Sequence, residues 1–413
     1  MAESLTKAEY KPLSGKNIVV GLTASSSIYR SIDLMRMLLR LGASVKAVMT
    51  KASTRFIGPD LVEWAIGEKV FIRETGRVEH IELAKWSDML LIAPATVKTI
   101  SKIAYGLADE LLTLLAISMN GLDKKIAIVP TMNIALYKSM IYKDIERKLV
   151  EKNIVIIPPF IEEDRVKYPP LDDLVYCVDT IVNRGWSSIG LKTLVTTGPT
   201  REYIDPVRVI TNPSSGYMGV VISRELACRG FSVDLVHGPV STNLPYMVNK
   251  YSVETTVEMA NTVSKLTENQ RYDIAIFAAA PIDYTVLVKS SVKISSREQT
   301  TLSLNLKTTP KVVKQISRKN KPHVLVIFAA ETVNSVEQLI DKAREKLVDY
   351  NADIVVANNI KQGVGFSSKY IDACIITENS SEYLGIVRKE YLARIIVDKA
   401  LDLLKQRKVD NYS

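Results

Sequence analysis

A polar stretch in the middle of the chain, TGPTREYIDPVRVITNPSSGYMG at 197–219, contains the residue types most suited to binding an anion. It follows the apolar run 194–196 and precedes the amphipathic segment 220–229, so it joins a predicted strand to a predicted helix. Free backbone N–H groups and the helix dipole favour an anion at a helix start, and the small residues at 213–216 would leave that backbone open. The stretch therefore predicts a site for a phosphate-bearing ligand, with a surface loop and helix cap as the alternative.

Hydroxyl side chains follow the first predicted strand. The run TASSS at 23–27 lies between the apolar strand 17–22 and a helix predicted at 28–41. The sequence has neither a GxGxxG fingerprint after this strand nor a Walker lysine loop. A cradle of hydroxyl and N–H groups at a helix start can hold a monophosphate such as that of FMN, and a plain helix cap is the alternative.

His80 lies beside a predicted ligand edge. It comes just before the strand predicted at 89–93. The end of that strand, 93–96, belongs to the carboxyl edge where ligands bind in open α/β sheets. We therefore consider His80 a candidate catalytic residue, with a structural histidine as the alternative.

Strands and helices alternate along the chain in two series. The predicted strands are 17–22, 44–49, 89–93, 126–129 and 154–157 in the first series, and 192–196, 232–236, 273–278, 323–329 and 353–357 in the second. Such alternation predicts an α/β fold with two doubly wound, Rossmann-like domains. We place a flexible tail at 1–14, a first domain at 15–188 and a second domain at 189–413, as suits a chain of 413 residues.

Some segments depart from this alternation. Two β-like runs, 292–295 and 301–306, predict an excursion from the second domain. A helix is predicted at 310–319, and an amphipathic helix is predicted at 389–408. In the first domain, the charged and Pro-rich segment 158–170 predicts a loop or flap.

The composition restricts the class of partner. The net charge is +9, but basic and acidic residues are mixed along the chain and form no block of like charge. We therefore expect anionic small-molecule substrates and no nucleic acid. No apolar run approaches the roughly 18 residues that span a membrane, and the N-terminal segment lacks an apolar signal core. We expect no membrane partner and a cytoplasmic protein.

Three motifs in the first half resemble the flavin-dependent cysteine decarboxylase family. They are HIELAKWSD from His80, APATVKTISKI followed by GLAD from Ala93, and PTMN from Pro130. The resemblance implies FMN as the cofactor and oxidative decarboxylation of a C-terminal cysteine-type carboxylate. It implies a catalytic role for His80 and substrate binding by Asn133. The flavin contacts that it implies are Ser25, Ser26, Thr50, Thr96 and Thr99.

The predicted flap departs from this family. Many members carry an Ala-Cys-Gly motif there, whose cysteine protonates the enethiolate. The segment PPFIEEDRVKYPP at 158–170 contains no cysteine. The resemblance therefore assigns no proton donor for the last step of the decarboxylation. The candidates within the segment are Glu162, Glu163, Asp164 and Lys167.

The second half resembles phosphopantothenate–cysteine ligase. The motifs, in the order of that family, are GPTRE, DPVR and NPSSGYMG within 198–219, AAAPIDY at 278–284, KI at 293–294, FAAET at 328–332 and AN at 357–358. The resemblance implies that a nucleotidyl group passes from CTP, or from ATP in some members, to 4′-phosphopantothenate. The amine of cysteine would then attack the acyl-nucleotidylate.

The ligase resemblance also implies roles for individual residues. Asn212 corresponds to the asparagine that handles the acyl intermediate. The residues that would hold the substrate phosphate are Ser214, Ser215 and Gly216. The implied nucleotide contacts are Asp283, Lys293, Pro310, Lys311, Val312, Val313, Phe328 and Lys346. Mg2+ is expected because transfer from a triphosphate requires charge neutralisation.

Two lysines of the ligase family are replaced by tyrosine in this chain. Tyr217 stands in the loop where Ser-Gly-Lys-Met-Gly is usual, and Tyr350 stands late in the helix predicted at 335–350. Both changes remove a positive charge near the phosphates. The choice between CTP and ATP therefore stays open.

Decarboxylase motifs followed by ligase motifs in one chain are the arrangement of the bifunctional coenzyme A biosynthesis family. The ligase would make phosphopantothenoylcysteine, and the decarboxylase would convert it to 4′-phosphopantetheine. Decarboxylase domains of the family form trimers and ligase domains form dimers, so a homo-oligomer, either a trimer or a dodecamer, is expected. Two alternatives remain: a ligase fused to a flavin domain that no longer decarboxylates, and a flavin-binding regulatory protein.

Overall fold

A computed structural model of the chain describes residues 10–186, 190–295, 301–360, 364–366 and 368–410. The chain divides into two compact units, Met1–Ser187 and Ser188–Ser413. Each unit has its own sheet with helices packed against it. The predicted fold class, two doubly wound α/β units, is confirmed.

A five-stranded parallel sheet forms the centre of the first unit. Its strands are β1 (Asn17–Leu22), β2 (Ser44–Met49), β3 (Met89–Ala95), β4 (Lys125–Pro130) and, after the two-residue β5 (Met132–Asn133), β6 (Val155–Ile156). They lie in the order β2-β1-β3-β4-β6. Every residue of the central β3 is buried, as expected where helices cover both faces of a parallel sheet.

Eight helices surround this sheet in the described part of the first unit. They are α1 (Arg30–Arg40), α2 (Pro59–Ile66), α3 (Glu79–Trp86), α4 (Val97–Tyr105), α5 (Leu111–Gly121), α6 (Ile134–Lys138), α7 (Met140–Glu151) and α8 (Leu171–Arg184). A 3₁₀ turn, Ser26–Tyr29, precedes α1. The loop after β1 is therefore short, and it leads directly into a helix start.

The predicted flap is a hairpin. Its strands are β7 (Phe160–Glu162) and β8 (Arg165–Lys167), and β8 also pairs with β5 in an antiparallel three-stranded sheet. Glu163 and Asp164 join the strands with φ of 50° and 57°, values that match the twist of a two-residue hairpin turn. The flap is thus attached to the end of β4 through the β5 segment.

An eight-stranded sheet forms the centre of the second unit. The strands of this unit are β9 (Lys192–Thr197), β10 (Arg201–Tyr203), β11 (Val209–Thr211), β12 (Ser232–His237), β13 (Asn249–Ser252), β14 (Ile274–Phe277), β15 (Tyr284–Val286), β16 (Leu306–Thr308), β17 (Val324–Glu331), β18 (Ile354–Asn359), β19 (Tyr370–Ile376) and β20 (Ser381–Arg388). The main sheet has the order β13-β12-β9-β14-β17-β18-β19-β20.

The last two strands of this sheet are antiparallel, which the sequence reasoning missed. The strands from β13 to β18 are parallel, whereas β19 runs against β18 and against β20. Only the turn at 377–380 separates β19 from β20, and the Thr377 N–H donates to the Ser380 carbonyl at 2.8 Å. A parallel pair needs a long crossover, so a connection this short requires antiparallel pairing.

Two predicted elements of the second unit are wrong. The excursion is a hairpin of β15 and β16, and residues 292–295 and 301–305 contain no strand. The Ile294 N–H donates to the Asp205 carboxylate at 3.1 Å, so it does not enter a strand ladder. The helix predicted at 310–319 consists of two short 3₁₀ turns, Val312–Gln315 and Arg318–Asn320.

Helices cover both faces of the second sheet. They are α9 (Tyr217–Cys228), α10 (Thr256–Asn269), α11 (Val336–Asp349) and α12 (Lys389–Asp410). Val195 of β9 packs in one buried cluster with α9 and α12, while its neighbour Leu194 packs in another with α10 and α11. Successive strand residues point to opposite faces, which produces a doubly wound unit with two cores.

No helix among the described residues is long and apolar enough to cross a membrane.

Gly219 offers a test of how closely α9 packs against β9. A Cβ at this position would lie 2.3 Å from Thr197 Oγ1 and 2.4 Å from Thr197 Cβ. We expect Gly219→Ala to lower the free energy of unfolding of the second unit by about 1–3 kcal/mol, because overpacking forces the helix away from the strand. The measurement is hydrogen exchange of the buried amides of β9.

The matched control is Gly121→Ala, at the last residue of α5, where an added Cβ would meet no heavy atom within 4 Å. This variant should be neutral or slightly stabilising. Equal effects of the two substitutions on the units that contain them would contradict the close approach of α9 to β9.

Candidate active sites

A cavity of about 330 Å³ lies at the carboxyl ends of the central strands of the second unit. Thr196, Phe277, Phe328 and Asn358, from β9, β14, β17 and β18, all line it. In open α/β sheets, ligands bind at this edge. The cavity is therefore the candidate active site of the unit.

Most of the predicted ligase residues meet in this cavity. The residues that line it are Asn212, Ser214, Ser215, Gly216, Asp283, Lys311, Val312, Val313, Phe328 and Lys346. Pro310 and Lys293 are not among the described lining residues. Lys293 is exposed on the excursion, so the structure does not bring it to the other residues predicted to contact a nucleotide.

Asn212 ties the polar loop to the end of β14. Its side-chain amide donates to the carbonyl oxygens of Ala280 at 3.0 Å and Pro281 at 3.3 Å. Both bonds use the amide nitrogen as donor, so the orientation of the side chain is set by the backbone that it contacts.

The loop that ends at Gly216 prepares the start of α9 for an anion. Gly216 has φ of 75°, and a Cβ there would lie 2.3 Å from Val240 Cγ1. Ser214 Oγ accepts from the Gly216 N–H at 3.2 Å, and Ser215 Oγ accepts from the Tyr217 N–H at 3.4 Å. The two serine oxygens therefore lie at the N-terminal end of α9, where the helix dipole is positive.

Two lysines of the cavity are already paired with carboxylates. Lys311 Nζ lies 2.8 Å from Asp283 Oδ1, and this hydrogen bond raises the pKa of Lys311. Glu331 binds both Lys346 and Lys342. Burial raises the pKa of Glu331, but the bonds to the two lysines outweigh it and lower the pKa overall. The carboxylates thus hold the lysine side chains in place.

Tyr217, predicted to replace a lysine of the ligase family, lines the cavity. Its hydroxyl donates to Glu390 Oε1 at 2.7 Å, and Arg388 Nη2 donates to the same oxygen at 2.9 Å. Burial, and then the bond to Glu390, raise the pKa of Tyr217 far above its usual value. Tyr217 therefore stays a neutral phenol and adds no charge to the site.

Sequence reasoning missed Lys389, Phe366 and Asn358, which also line the cavity. Asn358 belongs to the AN motif, but no role was assigned to it. Lys389 begins the helix predicted at 389–408, and a lysine at a helix start carries no sequence signal for a buried position.

A second cavity, of about 610 Å³, lies in the first unit at the ends of β1 and β4. It is lined by the predicted site residues Ser25, Ser26 and Asn133, and by the flap residues 165–168. Asn133 Oδ1 accepts from the Ala135 N–H at 2.8 Å as the cap of α6. This bond orients the Asn133 side chain and leaves its amide N–H groups as donors for a ligand.

Hydroxyl groups link the ends of three strands near this cavity. Thr23 Oγ1 donates to the Pro94 carbonyl at 2.9 Å and accepts from the Thr96 N–H at 3.0 Å. Thr131 Oγ1 donates to Ser25 Oγ at 3.1 Å. Thr131 was not among the predicted site residues, although it lies within the PTMN motif.

The other predicted residues of the first unit do not line the described cavity. Thr50 and Thr99 are buried, and Thr96 precedes the first residue of α4 without a capping hydrogen bond from its side chain. His80 lies in the first turn of α3, where its Nδ1 is buried without a hydrogen-bond partner among the described residues. A buried polar nitrogen of this kind is costly unless something binds it.

Two of the candidate proton donors in the flap, Lys167 and Glu163, are paired with each other. Lys167 Nζ lies 2.8 Å from Glu162 Oε2 and 3.0 Å from Glu163 Oε2. The bonds to these carboxylates raise the pKa of Lys167, and the bond to Lys167 lowers the pKa of Glu163. Proton donation by Lys167 or Glu163 is disfavoured as a result.

No group of three or more His, Cys, Asp or Glu side chains that could hold a metal ion occurs in the described part of the chain. Asp283 is the one carboxylate among the described residues that line the second-unit cavity. Mg2+ is often held by one or two carboxylates together with substrate phosphates. The Asp283 carboxylate is bound by Lys311 at 2.8 Å, so it would have to exchange this partner to hold a metal.

Comparison with protein families matches the two units separately. Residues 6–183 match the family described as Flavoprotein, and residues 188–404 match the family described as DNA/pantothenate metabolism flavoprotein C-terminal domain.

Curated relatives match almost the whole chain. The coenzyme A biosynthesis bifunctional protein CoaBC of Thermococcus kodakarensis is 36% identical over 399 residues, which cover 95% of this chain and 97% of that protein. The protein of the same name from Methanocaldococcus jannaschii is 35% identical and covers 96% of each chain. A crystal structure of the C-terminal domain of a CoaBC protein is 29% identical, covers 53% of this chain and 100% of that chain, and has a TM-score of 0.43.

Proposed function

This chain belongs to the family of coenzyme A biosynthesis bifunctional proteins, which combine ligase and decarboxylase activities, and we propose which unit and which residues carry each activity. The second unit joins 4′-phosphopantothenate to cysteine. The first unit decarboxylates the product, phosphopantothenoylcysteine, to 4′-phosphopantetheine. With ligase and decarboxylase activities the chain is an enzyme, in contrast to the alternative of a flavin-binding regulatory protein.

One observation supports the ligase proposal most directly. A single cavity at the ends of parallel strands is lined by Asn212, the loop 214–216, Lys311 and Lys346. In the proposed reaction, the carboxylate of phosphopantothenate attacks the α-phosphorus of CTP and pyrophosphate leaves. The cysteine amine then attacks the acyl carbon, and the nucleoside monophosphate leaves as the amide bond forms.

Different residues of the second unit have different proposed roles in this reaction. The amide of Asn212 lies where it can shift from the Ala280 carbonyl, 3.0 Å away, to an oxygen on which charge develops. The residues proposed to hold the substrate phosphate are Ser214, Ser215 and Gly216. The residues proposed to hold the nucleotide are Asp283, Pro310, Lys311, Val312, Val313, Phe328 and Lys346. Mg2+, when present with the nucleotide, would neutralise charge on the phosphates beside Asp283.

Lys293 would contact the nucleotide only after a movement of the excursion. It is exposed and lies outside the cavity lining, but Ile294 beside it is anchored to the buried Asp205. A movement of the excursion toward the cavity would be needed to bring Lys293 to a triphosphate.

FMN supplies the oxidation and the later reduction of the substrate when it is bound to the first unit. The hydroxyls of Ser25 and Thr131, which line the cavity, fit a monophosphate cradle. The buried Thr23 hydroxyl links the strand ends behind it. The residues proposed to contact the flavin are Ser25, Ser26, Thr50, Thr96 and Thr99. His80 would move a proton at a ring nitrogen during the decarboxylation, and the Asn133 amide would donate to the substrate carboxylate.

We also propose that the chain forms a homo-oligomer, a trimer or a dodecamer. Leu136, Met140 and Ile141, close in sequence to Asn133, are 46%, 82% and 74% exposed. A cluster of exposed apolar side chains beside a site is typical of a subunit interface. Sedimentation of the full chain tests this assembly.

The proposed function is tested by a product assay on the purified full chain. With 4′-phosphopantothenate, cysteine and CTP, we expect pyrophosphate release and formation of phosphopantothenoylcysteine, followed by CO2 and 4′-phosphopantetheine. Replacement of CTP by ATP identifies the nucleotide. If the protein binds FMN and ligates but releases no CO2, the result would favour a ligase fused to an inactive flavin unit. The absence of a cysteine from the flap is the reason for considering this alternative.

His80→Asn should separate the two activities. We expect this variant to retain FMN, seen in its flavin absorbance, and to lose decarboxylation by about 10²-fold or more because the proton transfer at the imidazole is lost. The ligation rate of the same protein, measured as pyrophosphate release, is the internal control and should stay unchanged. A parallel loss of both activities would contradict the assignment of His80 to one site.

Asn212→Asp should have the opposite effect. The substitution removes the amide donor and places a negative charge beside developing negative charge, so we expect ligation to slow by about 10²- to 10³-fold. Decarboxylation of added phosphopantothenoylcysteine should remain at the wild-type rate. An unchanged ligation rate would remove Asn212 from the mechanism.

A further inference from the structure

Lys389 is a buried lysine in the wall of the second-unit cavity. It is the first residue of α12, it is only 5% exposed, and it lines the cavity together with Gly365, Phe366 and Tyr217. Lysine side chains are almost never buried unless they are paired. The buried ammonium group of Lys389 therefore requires a partner.

Lys389 has no carboxylate partner within the described residues. Its Nζ donates to the carbonyl oxygen of Gly365 at 2.7 Å, and no described carboxylate lies within ion-pair distance of it. The carboxylate of the adjacent Glu390 is bound by Tyr217 and Arg388. Burial lowers the pKa of Lys389 to about 8, and the charge of Glu390 only partly opposes this. One carbonyl satisfies one of the three ammonium donors.

The other two lysines among the described lining residues differ from Lys389 in this respect. Lys311 is paired with Asp283 at 2.8 Å, and Lys346 is paired with Glu331. An anion that enters the cavity must compete with those carboxylates for the two lysines. At Lys389 the anion would supply the missing counter-charge instead, which favours binding.

The start of α12 is held next to the start of α9. Tyr217, the first residue of α9, donates its hydroxyl to Glu390, the second residue of α12. Leu392 and Ile396 of α12 share a buried cluster with Val221 of α9. Lys389 and the phosphate loop 214–216 therefore face one cavity from two neighbouring helix starts.

We propose that Lys389 is a further ligand-binding residue of the ligase, whose ammonium group binds a phosphate held at the start of α9. It provides a positive charge at the loop in which Tyr217 stands where the ligase family has a lysine. The proposal rests on the proposed ligase function. The phosphate belongs either to the nucleoside triphosphate or to 4′-phosphopantothenate, and these two sources share the same recognition chemistry.

Steady-state kinetics of ligation test the proposal with three variants. Lys389→Met removes the charge and keeps much of the apolar stem, Lys389→Arg keeps the charge, and Lys405→Met removes an exposed lysine from the same helix. We expect Lys389→Met to raise the KM for one anionic substrate by about 10- to 100-fold, as for loss of a charged hydrogen bond. Lys389→Arg should recover part of the affinity, and Lys405→Met should match the wild type.

The KM values identify the ligand. A higher KM for CTP assigns the phosphate to the triphosphate, and a higher KM for 4′-phosphopantothenate assigns it to that substrate. The KM for cysteine, which carries no phosphate, should not change. Unchanged KM values for both phosphate substrates in Lys389→Met, with wild-type turnover, would overturn the proposal. Absence of ligation by the wild type would instead refute the proposed function.

A measurement on the wild type avoids dependence on the folding of the variants. The full chain is acetylated briefly at pH 8 with acetic anhydride, and the extent of modification at Lys389 and Lys405 is read by peptide mass spectrometry. We expect inorganic pyrophosphate or 4′-phosphopantothenate to protect Lys389 several-fold and to leave Lys405 unprotected. Equal labelling of Lys389 with and without both anions would overturn the proposal, whatever the stability of the variants.

Discussion

The close approach of helix α9 to the end of strand β9 is the constraint on which the cavity of the second unit depends. Thr197 Oγ1 donates to the Gly216 carbonyl at 2.7 Å, and Gly219 presents no side chain toward Thr197. The positive end of the helix dipole is thereby held over the strand ends, where its effect on an anion is largest. Because the helix start cannot move away, the loop before it must cross the strand edge, and this crossing brings Asn212 to the Ala280 carbonyl.

The two units prepare for phosphate groups in different ways. In the first unit, the strand ends are linked by neutral hydroxyls, chiefly those of Thr23, Ser25 and Thr131, and the basic side chains of Arg30, Arg165 and Lys167 also line the cavity. In the second unit, lysines surround the cavity, and carboxylates hold Lys311 and Lys346 before any ligand binds. Both cavities therefore combine polar groups at the strand ends with basic side chains that could bind the charge of a phosphate group. The organisation of each cavity is consistent with the ligand proposed for it.

Local patterns account for the predictions that were confirmed and for those that were wrong. Buried strands such as β3 are apolar throughout, so the alternation of strands and helices was readable from residue type. The segment 310–319 has helix-forming residues, but it folds as two 3₁₀ turns. The runs at 292–295 and 301–306 have β-forming residues, but the pairing strands of the excursion are β15 and β16. Backbone groups in two of these segments bind distant side chains instead: the Ile294 N–H donates to Asp205 and the Ser317 N–H donates to Thr267 Oγ1.

The sequence by itself determined the two α/β units and the polar loops at their strand ends, because periodicity and turn chemistry are properties of neighbouring residues. It also carried the motifs that mark Asn212, the phosphate loop and His80. Only the tertiary structure decided which charges share a cavity. Tyr217 and Glu390 are 173 residues apart, yet their hydrogen bond joins two helix starts and brings Lys389 to the cavity wall. The same folding leaves Lys293 outside that wall, because the position of a long side chain depends on the packing of distant elements, which no local pattern records.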